Sequence, residues 1–274
     1  MVCQALGMCI WQWICCFFFE VSVIFSMRKS SLNFLRAKAV RVNTFLEIYL
    51  GAPRQREART PPLDMLIGTL LSQNTNDRNS HRAYRELRKR FPTWKGVAEA
   101  PLRAIASAIR VGGMKNQKSR RIKVLLQEIR ERYGSFSLRG IEKMTNDEVI
   151  STLTSYDGIG YKTAACVLLF SLRREVFPVD THVHRVCNRL GFVRTTAPEK
   201  TFEAMKPLVP KGKSHSFHTN LIRFGRSVCR AQRPRCGSCP LYDECEFESK
   251  NSRAKMKTPT SSQSNVDFML LDAI

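Results

Sequence analysis

Acidic residues are scarce in this chain of 274: 23 Asp and Glu stand against 45 Lys and Arg, a formal charge of +22. That imbalance argues against an acidic surface and for a polyanionic partner, of which nucleic acid is the commonest. An anionic membrane surface or plain solubility would use the same charge. Strict alternation of apolar and polar residues is also missing, which leaves little room for β-strands. No internal repeat is visible. The ten cysteines are not spread as a disulfide framework requires: four fall in residues 3–16, Cys166 and Cys187 stand alone in apolar surroundings, and four cluster at 229–245. Reduced cysteines in an intracellular protein fit that layout.

Basic residues are absent from the first 26 positions, and residues 5–25 are nearly all apolar with Glu20 the only charge. The stretch is long enough to span a bilayer. Glu20 is costly there, however, and no basic segment precedes it as in a signal peptide. Met27 is therefore read as the start of the native protein, residues 1–30 as a doubtful extension, and a membrane anchor as the alternative. At the other end, the polar run 249–265 points to a disordered tail over 249–274.

What is present is helical periodicity. Leu63, Leu66, Ile67, Leu70 and Leu71 repeat at i, i+3, i+4, i+7, i+8 after Pro61–Pro62, and Ile122, Leu125, Leu126 and Ile129 do so among charged residues. Thr145 followed by Glu148 reads as a capping box. The run Ala164–Leu172 is apolar on most faces, which predicts a buried helix. The fold class is all-α.

Between two of these helices lies Tyr156-Asp-Gly-Ile-Gly-Tyr-Lys-Thr163. Gly158 and Gly160 allow a sharp turn whose amides head a helix, a setting that favours an anion such as a backbone phosphate. An ordinary helix–helix turn is the competing reading. Asp180, ahead of the next helix, is placed as an N-cap, with Gly191 as that helix's stop. The four cysteines Cys229, Cys236, Cys239 and Cys245 put soft ligands within 17 residues. By chemistry alone, zinc or an iron–sulfur cluster would suit them.

Gly158-Ile-Gly160 followed by Lys162-Thr-Ala, then Val-Asp180-Thr-His eighteen residues beyond the lysine, then the spacing of the four cysteines, resemble the endonuclease III family of helix-hairpin-helix DNA glycosylases. The likeness runs from about residue 33 to 248. One departure is Tyr156-Asp157 where the family has Leu-Pro, which sets a negative charge beside the phosphate contact. The resemblance implies a two-domain fold: a helical barrel domain at 63–172 bearing the hairpin, and a discontinuous domain of 31–62 and 173–248 holding a C-terminal [4Fe–4S] cluster on the cysteines. It implies Lys162 as nucleophile and Asp180 as its catalytic partner. Such a lysine attacks only when neutral, so burial against Ala164 and Ala165 and the positive helix end are expected to lower its pKa. A phosphate-binding lysine that stays charged is the other reading.

The same likeness aligns Leu70–Thr75 and Gly112–Asn116 with the loops that fill the gap left by an extruded base. Gln73 or Asn74, and Met114, become the wedge candidates, and Asp77 a candidate reader of a base. Arg230, Arg233 and Arg235 would face phosphates from a loop tied at both ends to the cluster. The implied activity is that of a monomeric bifunctional DNA glycosylase/AP lyase of base excision repair. Its substrate is double-stranded DNA with damaged bases, chiefly oxidised pyrimidines, or abasic sites. A mismatch or other-lesion glycosylase on the same scaffold, or a non-catalytic DNA-binding protein, are the alternatives.

Overall fold

The computed structural model describes residues 31–55 and 57–255. The apolar extension at 1–30, with its start-site and anchor readings, and the tail from 256 lie outside the described residues. Among the described residues there is no strand, and no helix is long and apolar enough to cross a membrane.

Helix α1 (31–50) buries Ala39, Val42 and Leu46 along one stripe. Its polar side chains reach far along the chain: Arg36 to the Pro207 carbonyl (2.9 Å), Lys38 to Glu246 (3.3 Å) and Arg41 to Glu244 (2.8 Å). Helix α2 (Pro62–Ser72) starts with Pro62 in the first turn, where a missing N–H costs nothing, and buries all five of its periodic residues. Burying one such Leu contributes about 1.5–3 kcal/mol.

Helix α3 (Asp77–Arg90) is capped by Asn76, and α4 (Trp94–Glu99) by Thr93. Helix α5 (Leu102–Ala108) packs on α6 (Lys115–Tyr133), whose apolar stripe at 122, 125, 126 and 129 is fully buried. Helix α7 (Asn146–Thr154) carries the capping box read from the sequence: Glu148 accepts from the Thr145 amide at 2.7 Å while Thr145 Oγ1 accepts from the Glu148 amide at 3.3 Å.

The buried run after the hairpin is helical in two styles. Helix α8 (Tyr161–Cys166) passes into a π-helical turn at Val167–Ser171. Helices α9 (Thr181–Arg189), α10 (Pro198–Met205) and α11 (Ser214–Ser227) complete the body, and α9 packs closely on α11. One continuous apolar core runs from α1 to Leu241.

The tail departs from the expectation of disorder at 249. Residues Lys250–Ala254 form helix α12, and Lys250 Nζ donates to the carbonyls of Cys245 (2.6 Å) and Tyr242 (3.1 Å). Helix α12 lies over Gly237, where a Cβ would stand 2.8 Å from the Ala254 carbonyl oxygen. Polar composition predicts disorder because it ignores such tertiary anchors.

Candidate active site and cysteine loop

The hairpin between α7 and α8 turns on Gly158, which has φ +76°. Its positive φ is what calls for glycine; a Cβ there would come within 2.6 Å of the Arg121 side chain, whose flexible end would have to shift. Gly160 is the extended N-cap of α8, with open space where a Cβ would be. The Tyr156-Asp157 departure has a structural answer. Tyr156 is buried in the core, and Asp157 is ion-paired to Arg121 at 3.4 Å, which offsets its charge beside the hairpin.

Lys162, in the first turn of α8, and Asp180, the N-cap of α9, line one cleft of about 500 Å³. The cleft also takes residues from the α2–α3 loop, Asp77, His218 and Arg226. Asp180 Oδ1 accepts from the amides of His182 and Val183, each at 2.8 Å. Burial alone would raise the Asp180 pKa. The charge of Lys162 and the Val183 amide overcome it and hold the carboxyl below its ordinary value.

Lys162 corrects an expectation. Burial does work against its charge, but the Cys166 sulfur, Asp180 and Asp77 outweigh it, and its pKa lies above the ordinary lysine value. The apolar helix and the helix start are local in sequence, whereas the carboxylates that outweigh them are delivered by α3 and by the start of α9. In the free protein Lys162 therefore rests as an ammonium.

Asp77 is likewise engaged by a distant segment. Arg226 holds it bidentately, at 2.6 and 3.2 Å, across 149 residues of sequence. His218 was not singled out from sequence at all. It is fully buried, and its Nδ1 donates to the Pro178 carbonyl at 2.8 Å, since a carbonyl can only accept. Its Nε2 is thereby left as a buried acceptor without a hydrogen-bond partner among the described residues, and burial pushes the pKa down to about 4. No local signal in Ser214–Ser227 marks it; only the tertiary placement does.

The two wedge-candidate loops meet at the cleft's rim. Gln73 Nε2 donates to the Gly158 carbonyl at 2.9 Å, which ties this loop to the hairpin and turns Gln73 inward. Asn74 and Met114 are both exposed, both left-handed (φ 53° and 48°), and touch one another, Asn74 Nδ2 to Met114 Sδ at 3.6 Å.

The four cysteines are free thiols around one apolar cavity with Leu190, Phe224, Val228, Leu241 and Phe247 among its walls. Among the described residues no group of three His, Cys, Asp or Glu side chains is placed to hold a single metal ion. Burial pushes the Cys239 thiol up to about 12, and Cys236 and Cys245 also upward, so a cationic centre would be needed to draw off their protons. Arg189 braces the loop: Nη1 donates to Cys229 Sγ (3.4 Å) and the Arg230 carbonyl (2.8 Å), Nη2 to the Ala231 carbonyl (3.2 Å), and the guanidinium stacks on Phe247 at 4.3 Å. Arg185 adds donations to the carbonyls of Cys229 and Gly225. Arg230 and Arg233 are exposed on this loop and Arg235 is half-buried.

Residues 67–211 match the family model of the HhH-GPD superfamily of base excision DNA repair proteins. The chain is 34% identical to an endonuclease III of Thermotoga maritima over 78% of its own length and 96% of that protein. A solved structure of a non-covalent endonuclease III–DNA complex superposes with a TM-score of 0.68 at 26% identity, covering 80% of this chain and 98% of the other. A trapped endonuclease III–DNA covalent intermediate superposes with a TM-score of 0.66 at the same identity, over 82% and 98%.

Proposed function

The chain belongs to the HhH-GPD superfamily of base excision DNA repair proteins, and from that premise we propose how its residues divide the reaction. It is a bifunctional DNA glycosylase/AP lyase of the endonuclease III family that acts on damaged DNA. Lys162 is the nucleophile and Asp180 its partner. The observation that supports this assignment is that both line the same cleft, one heading α8 and the other α9.

The reaction must begin by freeing Lys162 of a proton, because the free protein holds it charged. That proton leaves on the departing base as the C1′–N bond breaks and Nζ bonds to C1′. The amine then passes a second proton to the ring oxygen as the C1′–O4′ bond opens, which leaves a Schiff base. Loss of a C2′ proton breaks the C3′–O bond and expels the 3′ phosphate. Asp180, held ionised by two amides, opposes the positive charge that develops on the sugar.

A cleft of about 500 Å³ with mixed polar and apolar walls suits a single extruded nucleoside, and oxidised pyrimidines are the proposed lesions. Gly158 and Gly160 seat a backbone phosphate, while Asn74 and Met114 enter the gap in the stack; Gln73 supports the hairpin. Cys229, Cys236, Cys239 and Cys245 would hold a [4Fe–4S] cluster. That all four cysteines line one apolar cavity supports a single shared centre there. When bound, the cluster supplies structure and no catalytic step, and the loop then presents Arg230, Arg233 and Arg235 to phosphates. The long-range pairs of α1 with Glu244 and Glu246 support the two-domain division, with the cluster domain carried on through α12.

Nicking of duplexes bearing an abasic site, thymine glycol or a mismatch tests the activity, and borohydride trapping tests the nucleophile. Wild-type protein is expected to nick the first two and to be trapped on DNA. Lys162→Gln should bind DNA but lose trapping. Full trapping of that variant would overturn the Schiff-base role, and nicking confined to the mismatch would move the substrate to another lesion class.

A further inference from the structure

We infer that Lys118 is a positioning residue for base extrusion, its buried ammonium clamping the loops that carry Asn74 and Met114 into one preassembled wedge. The inference rests on the reading of those two residues as the gap-filling pair.

Lys118 lies in the first turns of α6 and is 2% exposed. Its Nζ donates to the Leu71 carbonyl at 2.7 Å and to the Gly112 carbonyl at 2.8 Å. The Leu71 oxygen is one of the final carbonyls of α2, which lack partners within the helix and carry its negative end. The Gly112 oxygen closes the turn Arg110–Gly112, two residues before Met114. One cation therefore joins the two segments that lead into Asn74 and Met114.

Burying an ammonium is costly, and carbonyl acceptors at both loops are what make it tolerable. Burial lowers the Lys118 pKa to about 8, which leaves the group mostly charged at neutral pH. A neutral side chain of this reach would offer weaker donors to the same two oxygens.

The rest of the frame is equally constrained. Asn74 and Met114 both hold left-handed backbones, at about 1 kcal/mol or more each, and such angles persist only where the surroundings over-determine them. The Lys118 amide donates to the Met114 carbonyl at 3.0 Å, and Gly112 sits so near α3 that a Cβ would stand 3.0 Å from that of Ala83. A wedge fixed before DNA arrives loses little freedom on entering the stack, so less binding energy is diverted from unstacking.

The test compares one β-elimination on two substrates: an abasic site in a duplex, which needs the wedge, and the same site in single-stranded DNA, which does not. Lys118→Met should slow single-turnover cleavage of the duplex tenfold or more and leave the single-strand rate within twofold. A 2-aminopurine opposite the site should lose its fluorescence rise. Equal loss on both substrates, or no loss on either, would overturn the clamp. Lys118→Gln, which keeps a neutral amide donor group, serves if the methionine variant does not fold, with the same split expected at smaller size. The double variant Asn74→Ala/Met114→Ala separates the two ideas. If it spares duplex cleavage, the wedge reading itself fails; if it shows the split and neither Lys118 variant does, only the clamp fails.

Discussion

The cleft and the cysteine loop both concentrate cations, yet they use them in opposite ways. In the cleft, Lys162 and Arg226 face carboxylates drawn from other segments, and Lys162 remains only half-buried beside open space. At the loop, Arg185 and Arg189 direct most of their donors to backbone carbonyls and one to a sulfur. Charge answered by charge can be redistributed when a substrate enters. Charge answered by fixed carbonyl dipoles cannot, and it serves to hold shape. The first region is built to react, the second to stay put.

Asp180→Asn tests the reactive side most severely. The amide keeps the N-cap but removes the charge, so single-turnover base removal should fall roughly 10²–10³-fold, about 3–4 kcal/mol, with the melting temperature little changed. A large melting shift with unchanged rate would place Asp180 among the structural groups instead.

His218 sharpens the contrast through pH. Its folded pKa of about 4 lies below the ordinary value of 6.5, so between these the unfolded chain binds more protons and stability falls as pH falls. The contribution is fully present above pH 6.5 and is lost as pH falls through the folded pKa. Denaturant titrations from pH 7 to 4 should show this slope, and His218→Gln should flatten it. Asp180, Lys162 and His215 are the titratable neighbours acting on the ring, so the slope should also change in Asp180→Asn.

Arg189→Met probes the rigid side. Loss of three donations should cost about 2 kcal/mol in thermal unfolding and weaken DNA binding without altering the single-turnover rate at saturating DNA. A matched fall in rate would mean that the loop takes part in the chemistry.

Asp157→Asn should have the smallest effect. Since Arg121 already offsets the charge, DNA affinity measured at low salt should rise by only about twofold.

Sequence reading reached what local rules govern. The apolar stripes of α2 and α6, the Thr145–Glu148 box, and Asp180 as an N-cap each depend on residues within a turn or two. It did not reach what distant segments decide. The sign of the Lys162 shift depends on Asp77 and Asp180, and the occupation of Asp77 depends on Arg226, 149 residues away. The grip of Lys118 on two carbonyls leaves no trace in composition, and α12 is polar enough to pass for coil until its anchor at Lys250 is seen. Site chemistry was legible as residue types at fixed spacing; its electrostatics was not, because spacing says nothing of what folds across.

The pairing of α1 with Glu244 and Glu246 carries a consequence for how this protein is made. These partners are 203 and 208 residues apart, so the ribosome delivers the first long before the second. The helix that leads the described chain waits through most of translation without its carboxylates, and the cleft waits for Arg226 in the same way. A chain that ends before Arg226 would thus carry Lys162 and Asp180 but lack the cation that holds Asp77.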